Sequence, residues 1–195
     1  MRFRHAAAFA AIACAASAAL FTTSSRAGGD LVKFPENYAK GTLYTTVDRA
    51  DNKQYRELYV SPPEAIAAAK KGELLPSGTV LTLVQYAAKL GADGNPEKDA
   101  NGRFIKDKLL AYTVMEKRTG WGAEYPEAIR NGEWEYQAFR ADKSVNTGAK
   151  LENCFTCHKP LGTKVDYVFS YDKLKLAAIF LDWNGPAQRG HCFRA

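Results

Sequence analysis

The sequence has few of the side chains that bind metal ions or carry redox chemistry. Its 195 residues include three histidines, four cysteines and two methionines. Only one Cys-x-x-Cys pair occurs, Cys154 and Cys157, so the second pair of a four-cysteine zinc site is missing. No internal repeat is visible, which argues against repeat architectures. The redox and metal chemistry open to this chain is therefore restricted to a handful of positions.

The chain also lacks an apolar run long enough to span a membrane. The longest, from Ala6 to Phe21, is 16 residues and rich in alanine, whereas a spanning helix needs about 20. The basic start MRFRH precedes this run and the small-residue stretch 25–27 follows it, an order typical of a secretory signal peptide. We therefore expect residues 1–27 to be a cleaved signal peptide and residues 28–195 to form a single periplasmic domain. Lipoprotein cleavage before Cys14 is an alternative that the sequence AIAC matches poorly.

Little net charge remains once the signal peptide is removed. The full chain has 27 Lys and Arg against 21 Asp and Glu, a formal charge of +6. Loss of Arg2, Arg4 and Arg26 leaves 27 − 3 = 24 against 21, a charge of +3. No basic stripe for nucleic acid remains. Export also places the remaining cysteines in an oxidising compartment.

The segment CFTCHKP, Cys154–Pro160, concentrates the reactive side chains. A disulfide between the two cysteines is one interpretation of this segment. A thioredoxin-like redox pair is another, but such a pair follows a strand in a βαβ unit, and nothing near residue 150 has that pattern. A zinc site completed by His191 or Cys192 is a third, although adjacent Cys157 and His158 are awkward as ligands of one ion.

Covalent haem attachment explains the segment best. In Cys-x-x-Cys-His the two thiols add to the haem vinyl groups, and the histidine supplies an imidazole to the iron. Two intervening residues match the separation of the vinyl carbons along one haem edge, and the next residue then points beneath the ring. We therefore expect one haem c, bound through Cys154 and Cys157, with His158 as the iron ligand.

The remaining sequence predicts a mainly β (α+β) fold. One helix is predicted from a capping box at Ser61 and Glu64 to a stop at Gly72, and the segment KLKLAAIFLDWNG predicts another near the C-terminus. Five segments rich in β-branched and aromatic residues predict strands: 41–48, 55–60, 79–86, 108–117 and 133–140. Strands joined by short turns favour an antiparallel sheet, here followed by the haem-binding segment.

A set of segments along the chain resembles the cytochrome P-460 family, which includes the cytochromes called c-prime-beta. With CFTCHKP, the matching segments are FPENY (34–38), YRELYVSPPEA (55–65), LPSGTV (75–80), VMEKRTGWGAEYP (114–126), RNGEWEY (130–136) and DYVFS (166–170). They span nearly the whole mature chain in order. The resemblance implies a mostly antiparallel, usually dimeric β fold, with one c-type haem, His158 as proximal ligand and an open distal site.

Members of the family fall into two functional groups, which differ in their distal residues. Some members oxidise hydroxylamine, with a lysine bonded to the haem edge and a distal glutamate; others lack that bond, have an apolar distal pocket and bind gases such as nitric oxide. The resemblance places the glutamate at Glu116 and the lysine position at Leu83, and residues 79–88 contain no lysine. Arg56 is a further candidate for this pocket. The departure at Leu83 favours an uncrosslinked haem with an apolar distal neighbour.

Few side chains could face His158 from the distal side. Met115 and Glu116 are neighbours on a predicted strand, so only one can point inward. The family position favours Glu116, whereas the strand pattern alone leaves it either inward-facing or solvated. His191 could reach the iron only if the tail folded back. We therefore expect no protein ligand on the distal side.

Three functions remain compatible with these residues. The first, which we predict, is a five-coordinate haem protein that binds or processes a small nitrogen species such as nitric oxide. The second is a hydroxylamine-oxidising cytochrome in which Glu116 relays protons, with Arg56 beside it. The third is an electron carrier with a periplasmic redox partner. Homodimerisation is also expected, and the leftover Cys192 suggests a free thiol or a bond between chains.

Overall fold

The structure is a computed structural model that describes residues 30–177. The predicted signal peptide, most of the predicted C-terminal helix, His191 and Cys192 lie outside the described residues. None of the helices in the described part is long and apolar enough to cross a membrane.

Five strands form one antiparallel sheet in the order β1-β2-β3-β4-β5, so each strand pairs with its neighbours in sequence. The strands are β1 (Thr42–Arg49), β2 (Gln54–Ser61), β3 (Val80–Ala88), β4 (Lys106–Lys117) and β5 (Trp134–Arg140). Each lies within two residues of its predicted position. The predicted mainly β class and the antiparallel sheet are therefore confirmed.

Three helices and three single 3-10 turns complete the described chain. The helices are α1 (Glu64–Lys71), α2 (Glu152–His158) and α3 (Tyr171–Leu176), and the turns are Tyr38–Lys40, Lys159–Leu161 and Thr163–Val165. α1 ends at Gly72 as predicted, in the left-handed conformation with φ of 75°. Its start was predicted too early, because Ser61 still pairs with Val80 in the sheet and cannot cap a helix. The helix begins at Glu64 without a side-chain cap.

Both faces of the sheet are covered, and each carries its own apolar cluster. On one face, α1, α2 and α3 pack over a core that includes Val60, Leu81, Met115 and Tyr136. On the other face, the N-terminal segment with Val32 and Phe34 packs over a second core. The sheet residues of that second core are Val84, Tyr112, Val114 and Phe139. Because side chains alternate along a strand, neighbouring residues such as Val114 and Met115 belong to different cores.

Candidate haem site

The cysteines and histidine of the motif lie together on α2. Cys154 and Cys157 are three residues apart on this helix, so their side chains share one face. Both thiols are free of a disulfide; Cys154 is half-buried and Cys157 is exposed. Burial raises the pKa of the Cys154 thiol, and the neighbouring Cys157 adds to that rise. The two sulfur atoms are thus presented on one face of the helix.

Packing against β5 holds α2 in place. Phe155, which is fully buried between the two cysteines, makes edge-on ring contacts with Tyr136 at 4.7 Å and Tyr125 at 5.2 Å between centroids. The Asn131 side-chain amide donates to the Phe155 carbonyl at 3.1 Å and to the Tyr136 hydroxyl at 3.0 Å. The helix is therefore anchored through its inner face, which leaves the cysteine face open.

His158, the last residue of α2, is oriented by a main-chain hydrogen bond. Its Nδ1 lies 2.6 Å from the carbonyl oxygen of Tyr167. Since a carbonyl only accepts, Nδ1 carries the proton and Nε2 keeps its lone pair available for a metal. Burial lowers the pKa of His158, an effect that the Tyr167 hydrogen bond partly opposes. Burial thus favours the neutral ring, the form that binds a metal ion.

A cavity of about 750 Å³ opens beside these three residues. The sheet forms one wall, and α2 together with the segment 168–173 forms the other. On the sheet side, six lining residues share one face of β2 to β5 by register: Leu58, Leu81, Leu83, Thr113, Met115 and Tyr136. The cavity thus combines the motif with a largely apolar wall.

Arginines give one part of this cavity a basic character. Arg49 pairs with Asp51 at 2.6 Å, and Arg103 pairs with Asp48 at 2.9 Å. Arg56, by contrast, donates from Nε and Nη2 to the side-chain oxygen of Gln54, at 2.9 and 2.7 Å.

No acidic partner of Arg56 lies within ion-pair distance in the described part of the chain. Burial lowers its pKa, and the nearby Arg49 adds to that effect. Of the three arginines that line the cavity, Arg56 is therefore the one without a carboxylate partner among the described residues.

A sequence model of the family described as Cytochrome P460 matches residues 35–170. The match covers all five strands and the Cys-x-x-Cys-His helix. The chain belongs to the cytochrome P460 family. A search of curated proteins found no match. Membership supports a haem c cytochrome of the P460 type, as the resemblance implied.

The residues of this P460 protein fit a covalently bound haem. Two thiols on one helix face and an imidazole with a free Nε2 all line a single cavity. Phe169 packs edge-on against the His158 ring, with 4.9 Å between centroids, although 62% of its surface is exposed. A flat apolar group bound in the cavity would cover the exposed Phe169 ring. Cys154 and Cys157 would hold the haem, and His158 would bind its iron.

The distal residues expected for this P460 protein are only partly brought together. Leu83 and Arg56 both line the cavity. Glu116 does not: it borders a separate groove on the other face of the sheet, beside Phe34 and Trp121. There it accepts a hydrogen bond from the Arg118 guanidinium at 2.6 Å. The expectation that Glu116 points inward is therefore wrong.

Strand alternation explains why Met115 takes the inward position. Met115 lies opposite Leu81 and Tyr136, which both line the cavity, so Glu116 must face the other way. The apolar residues Tyr112 and Val114 do mark a buried face of β4, but it is the face covered by the N-terminal segment. A strand buried on both sides gives no sequence signal that distinguishes its two faces.

Several lining residues were not identified from the sequence. Val168, Phe169 and Lys173 contribute to the helix-side wall, and the Tyr167 carbonyl orients His158. The only signal for this region was its membership of the family segment DYVFS. Among the described residues, no cluster of three or more His, Cys, Asp and Glu side chains could hold a metal ion.

Proposed function

We propose that this P460 protein is an exported, periplasmic mono-haem cytochrome whose iron is five-coordinate and binds nitric oxide. One haem is attached through Cys154 and Cys157, and His158 is the only protein ligand of its iron. The observation that carries the proposal is the sheet-side wall. It presents Leu58, Leu81, Leu83 and Met115 to the cavity, and none of the described lining residues is a carboxylate.

Each residue has a distinct part in this proposal. A bound haem would supply an iron that takes up diatomic ligands and changes oxidation state. Tyr167 keeps His158 in the tautomer that can bind iron. The leucines make the sheet-side wall apolar, so a weakly polar ligand such as nitric oxide is favoured over water there. Arg56 is the candidate to donate hydrogen bonds to a ligand that becomes negatively charged.

Hydroxylamine oxidation is less well supported by the cavity. A lysine at the position of Leu83 and a distal glutamate would be needed, and Glu116 faces away. Lys173, on α3, is the one lysine among the described residues that line the cavity, and it does not belong to the sheet. Proton relay by a carboxylate therefore has no candidate in the described lining.

Electron transfer is the second candidate function, because of Met115. Its thioether lines the same cavity as His158, and a His/Met pair is typical of electron-transfer cytochromes. Met115 also belongs to the buried core with Leu81 and Tyr136 and is only 8% exposed. That packing favours a role as a wall residue, and it makes the periplasmic redox partner a secondary part of the proposal.

Titration of the ferrous holoprotein with nitric oxide tests the proposal. We expect saturable binding at one site per haem and an ordinary c-type Soret band before the addition. A strongly red-shifted ferrous band, or steady turnover of hydroxylamine with an electron acceptor, would favour the hydroxylamine-oxidising class. Absence of any nitric oxide adduct would favour electron transfer. Sedimentation of the same sample tests the proposed homodimer, and non-reducing electrophoresis tests a bond through Cys192.

A further inference from the structure

A buried ion pair lies beside the loop that orients His158. Lys117, at the end of β4, donates from Nζ to both carboxylate oxygens of Asp166, at 3.0 and 2.8 Å. The exposed fractions of these two residues are only 5% and 2%. Asp166 also accepts a hydrogen bond from the Leu75 main-chain nitrogen at 2.9 Å. The sheet, the loop after α1 and the segment after α2 are thereby joined at one carboxylate.

The backbone next to this carboxylate has an unusual conformation. Asp166 and Tyr167 are consecutive, neither is glycine, and their φ angles are 48° and 58°. Residues with a Cβ adopt this left-handed region at a cost, and they stay there when their surroundings hold them. The two residues sit directly after a 3-10 turn that ends at Val165. Main-chain hydrogen bonds from Asp166 and Tyr167 to residues 163 and 162 close the turn, and the ion pair ties it to β4.

The turn places the Tyr167 carbonyl against the imidazole of His158. Its oxygen lies 2.6 Å from His158 Nδ1, one residue beyond the carboxylate of the ion pair. The Tyr167 ring packs so closely on Gly132 that a Cβ at that glycine would lie 3.2 Å from the ring. Tyr167 is therefore held on one side by the ion pair of Lys117 and Asp166, and on the other by the packing of its ring on Gly132, just before β5.

We propose that the Lys117–Asp166 pair is a positioning device for the iron ligand. By fixing the Tyr167 carbonyl on Nδ1, the pair makes the imidazole of His158 a stronger electron donor and so sets the strength of the iron–histidine bond. This rests on the proposed role of His158 as iron ligand, not on the identity of the gas. Replacing a buried ion pair by apolar side chains is often neutral or stabilising, so stability of the fold alone does not account for these two charges.

The test uses the holoprotein and the double variant K117M/D166N. The asparagine keeps an acceptor for the Leu75 nitrogen and tolerates the left-handed conformation, and no buried charge is left alone. Two quantities are measured: the iron–histidine stretching band of the ferrous protein, by resonance Raman spectroscopy, and the midpoint potential. We expect the band to shift to lower frequency and broaden, and the potential to rise, because a weaker donor favours ferrous iron.

Two further variants make the outcome specific. K117R retains a cation opposite Asp166 and should keep the wild-type band. K143M breaks the exposed Lys143–Glu36 pair and should leave both quantities unchanged. If the double variant does not yield holoprotein, K117Q/D166N takes its place. This pair also leaves no buried charge alone, keeps polar side chains at both positions, and should produce a smaller shift in the same directions.

An unchanged potential in either double variant would overturn the inference, even if the protein became less stable. A failure of the proposed function would be seen in the wild-type protein instead. A wild-type protein without an iron–histidine band would have a six-coordinate iron, and the midpoint potential would then still report whether the ion pair acts on His158.

Discussion

Met115 and Tyr136 lie opposite each other across β4 and β5, and both side chains line the cavity that contains His158. The Tyr136 ring lies 5.1 Å from the imidazole, centroid to centroid. The pairing determines which side of β4 faces the motif, and it places the thioether, rather than the carboxylate of Glu116, in the cavity. A haem held in this cavity would therefore have Met115 and its neighbours, rather than Glu116, on the sheet-side wall.

Replacement of Met115 by leucine tests whether Met115 lines the cavity wall or binds the iron. M115L nearly conserves volume, and we expect a loss of unfolding free energy below about 1.5 kcal/mol. The ferric and ferrous absorption spectra should stay those of a five-coordinate haem, because no iron ligand is removed. A low-spin wild-type spectrum that M115L converts to high-spin would show that Met115 ligates the iron.

Leu83 gives the wall its apolar character next to the proposed ligand site. L83Q adds a hydrogen-bonding group there, so water and anions should bind the ferric iron more readily. We expect azide affinity to rise about tenfold, equivalent to roughly 1.4 kcal/mol from one added hydrogen bond. Azide titration followed at the Soret band measures the change. L43Q is the control, since Leu43 is 45% exposed and not among the residues lining the cavity. Equal azide affinity in L83Q and wild type would contradict a distal position for Leu83.

Arg56 should matter for charged ligands and not for neutral ones. R56Q removes a cavity cation that has no acidic partner within ion-pair distance among the described residues. We expect azide affinity to fall about tenfold, since a hydrogen bond to a charged group contributes about 1.5–3 kcal/mol, while nitric oxide affinity stays within twofold. R140Q, at the exposed end of β5, should change neither. A similar loss for both ligands in R56Q would point to a general distortion of the site.

Glu116 should be dispensable for the chemistry. It lies on the face of the sheet away from the motif, in an ion pair with the half-exposed Arg118 at 2.6 Å. E116Q should therefore lower the unfolding free energy by less than about 1 kcal/mol and leave nitric oxide binding unchanged. Stopped-flow kinetics of wild type and E116Q provide the comparison. A large loss of binding or of hydroxylamine turnover in E116Q would restore the role that the family resemblance implied.

Glu135 should make stability depend on pH. Burial raises the pKa of this carboxyl to about 7, against the hydrogen bond from the Tyr125 hydroxyl and with a small added effect of Glu124. The unfolded value is 4.5, so between these two values the folded chain binds more protons than the unfolded chain. The unfolding free energy therefore falls as pH rises through this window, by about 1–3 kcal/mol, and then levels off.

Denaturant unfolding from pH 4.5 to pH 7.5 checks the dependence on Glu135. E135Q should abolish the fall, whereas E133Q, which retains an acceptor for the Gly120 nitrogen, should keep it. A fall of the same size in E135Q would assign the titration to another group.

Local sequence patterns predicted the elements of this fold well and the faces of its sheet poorly. The five strands were recognisable because β-branched and aromatic residues cluster in them, and Gly72 marked the end of α1. The capping box at Ser61 failed because the competing strand pairing with Val80 is a tertiary contact. Glu116 was misplaced because β4 is buried on both sides, so alternation shows which residues share a face but not what covers it.

In the candidate site, too, the residues set by local sequence were predictable and those set by tertiary contacts were not. Cys154, Cys157 and His158 form a contiguous motif whose chemistry depends on local spacing, and this is visible in any sequence. The partners of these residues are distant in sequence: Tyr167 for the imidazole, Asn131 for the helix and Lys117 for the turn. Such contacts are set by how β4 and β5 pack against α2, which no spacing rule describes.

The attachment of haem to α2 can be examined by mass spectrometry of proteolytic peptides from the purified protein. The peptide that contains Cys154 and Cys157 should be heavier by one haem, with no free thiol left to alkylate. An unmodified peptide, or one that carries only a disulfide between the two cysteines, would contradict the covalent haem site and with it the function proposed for this chain.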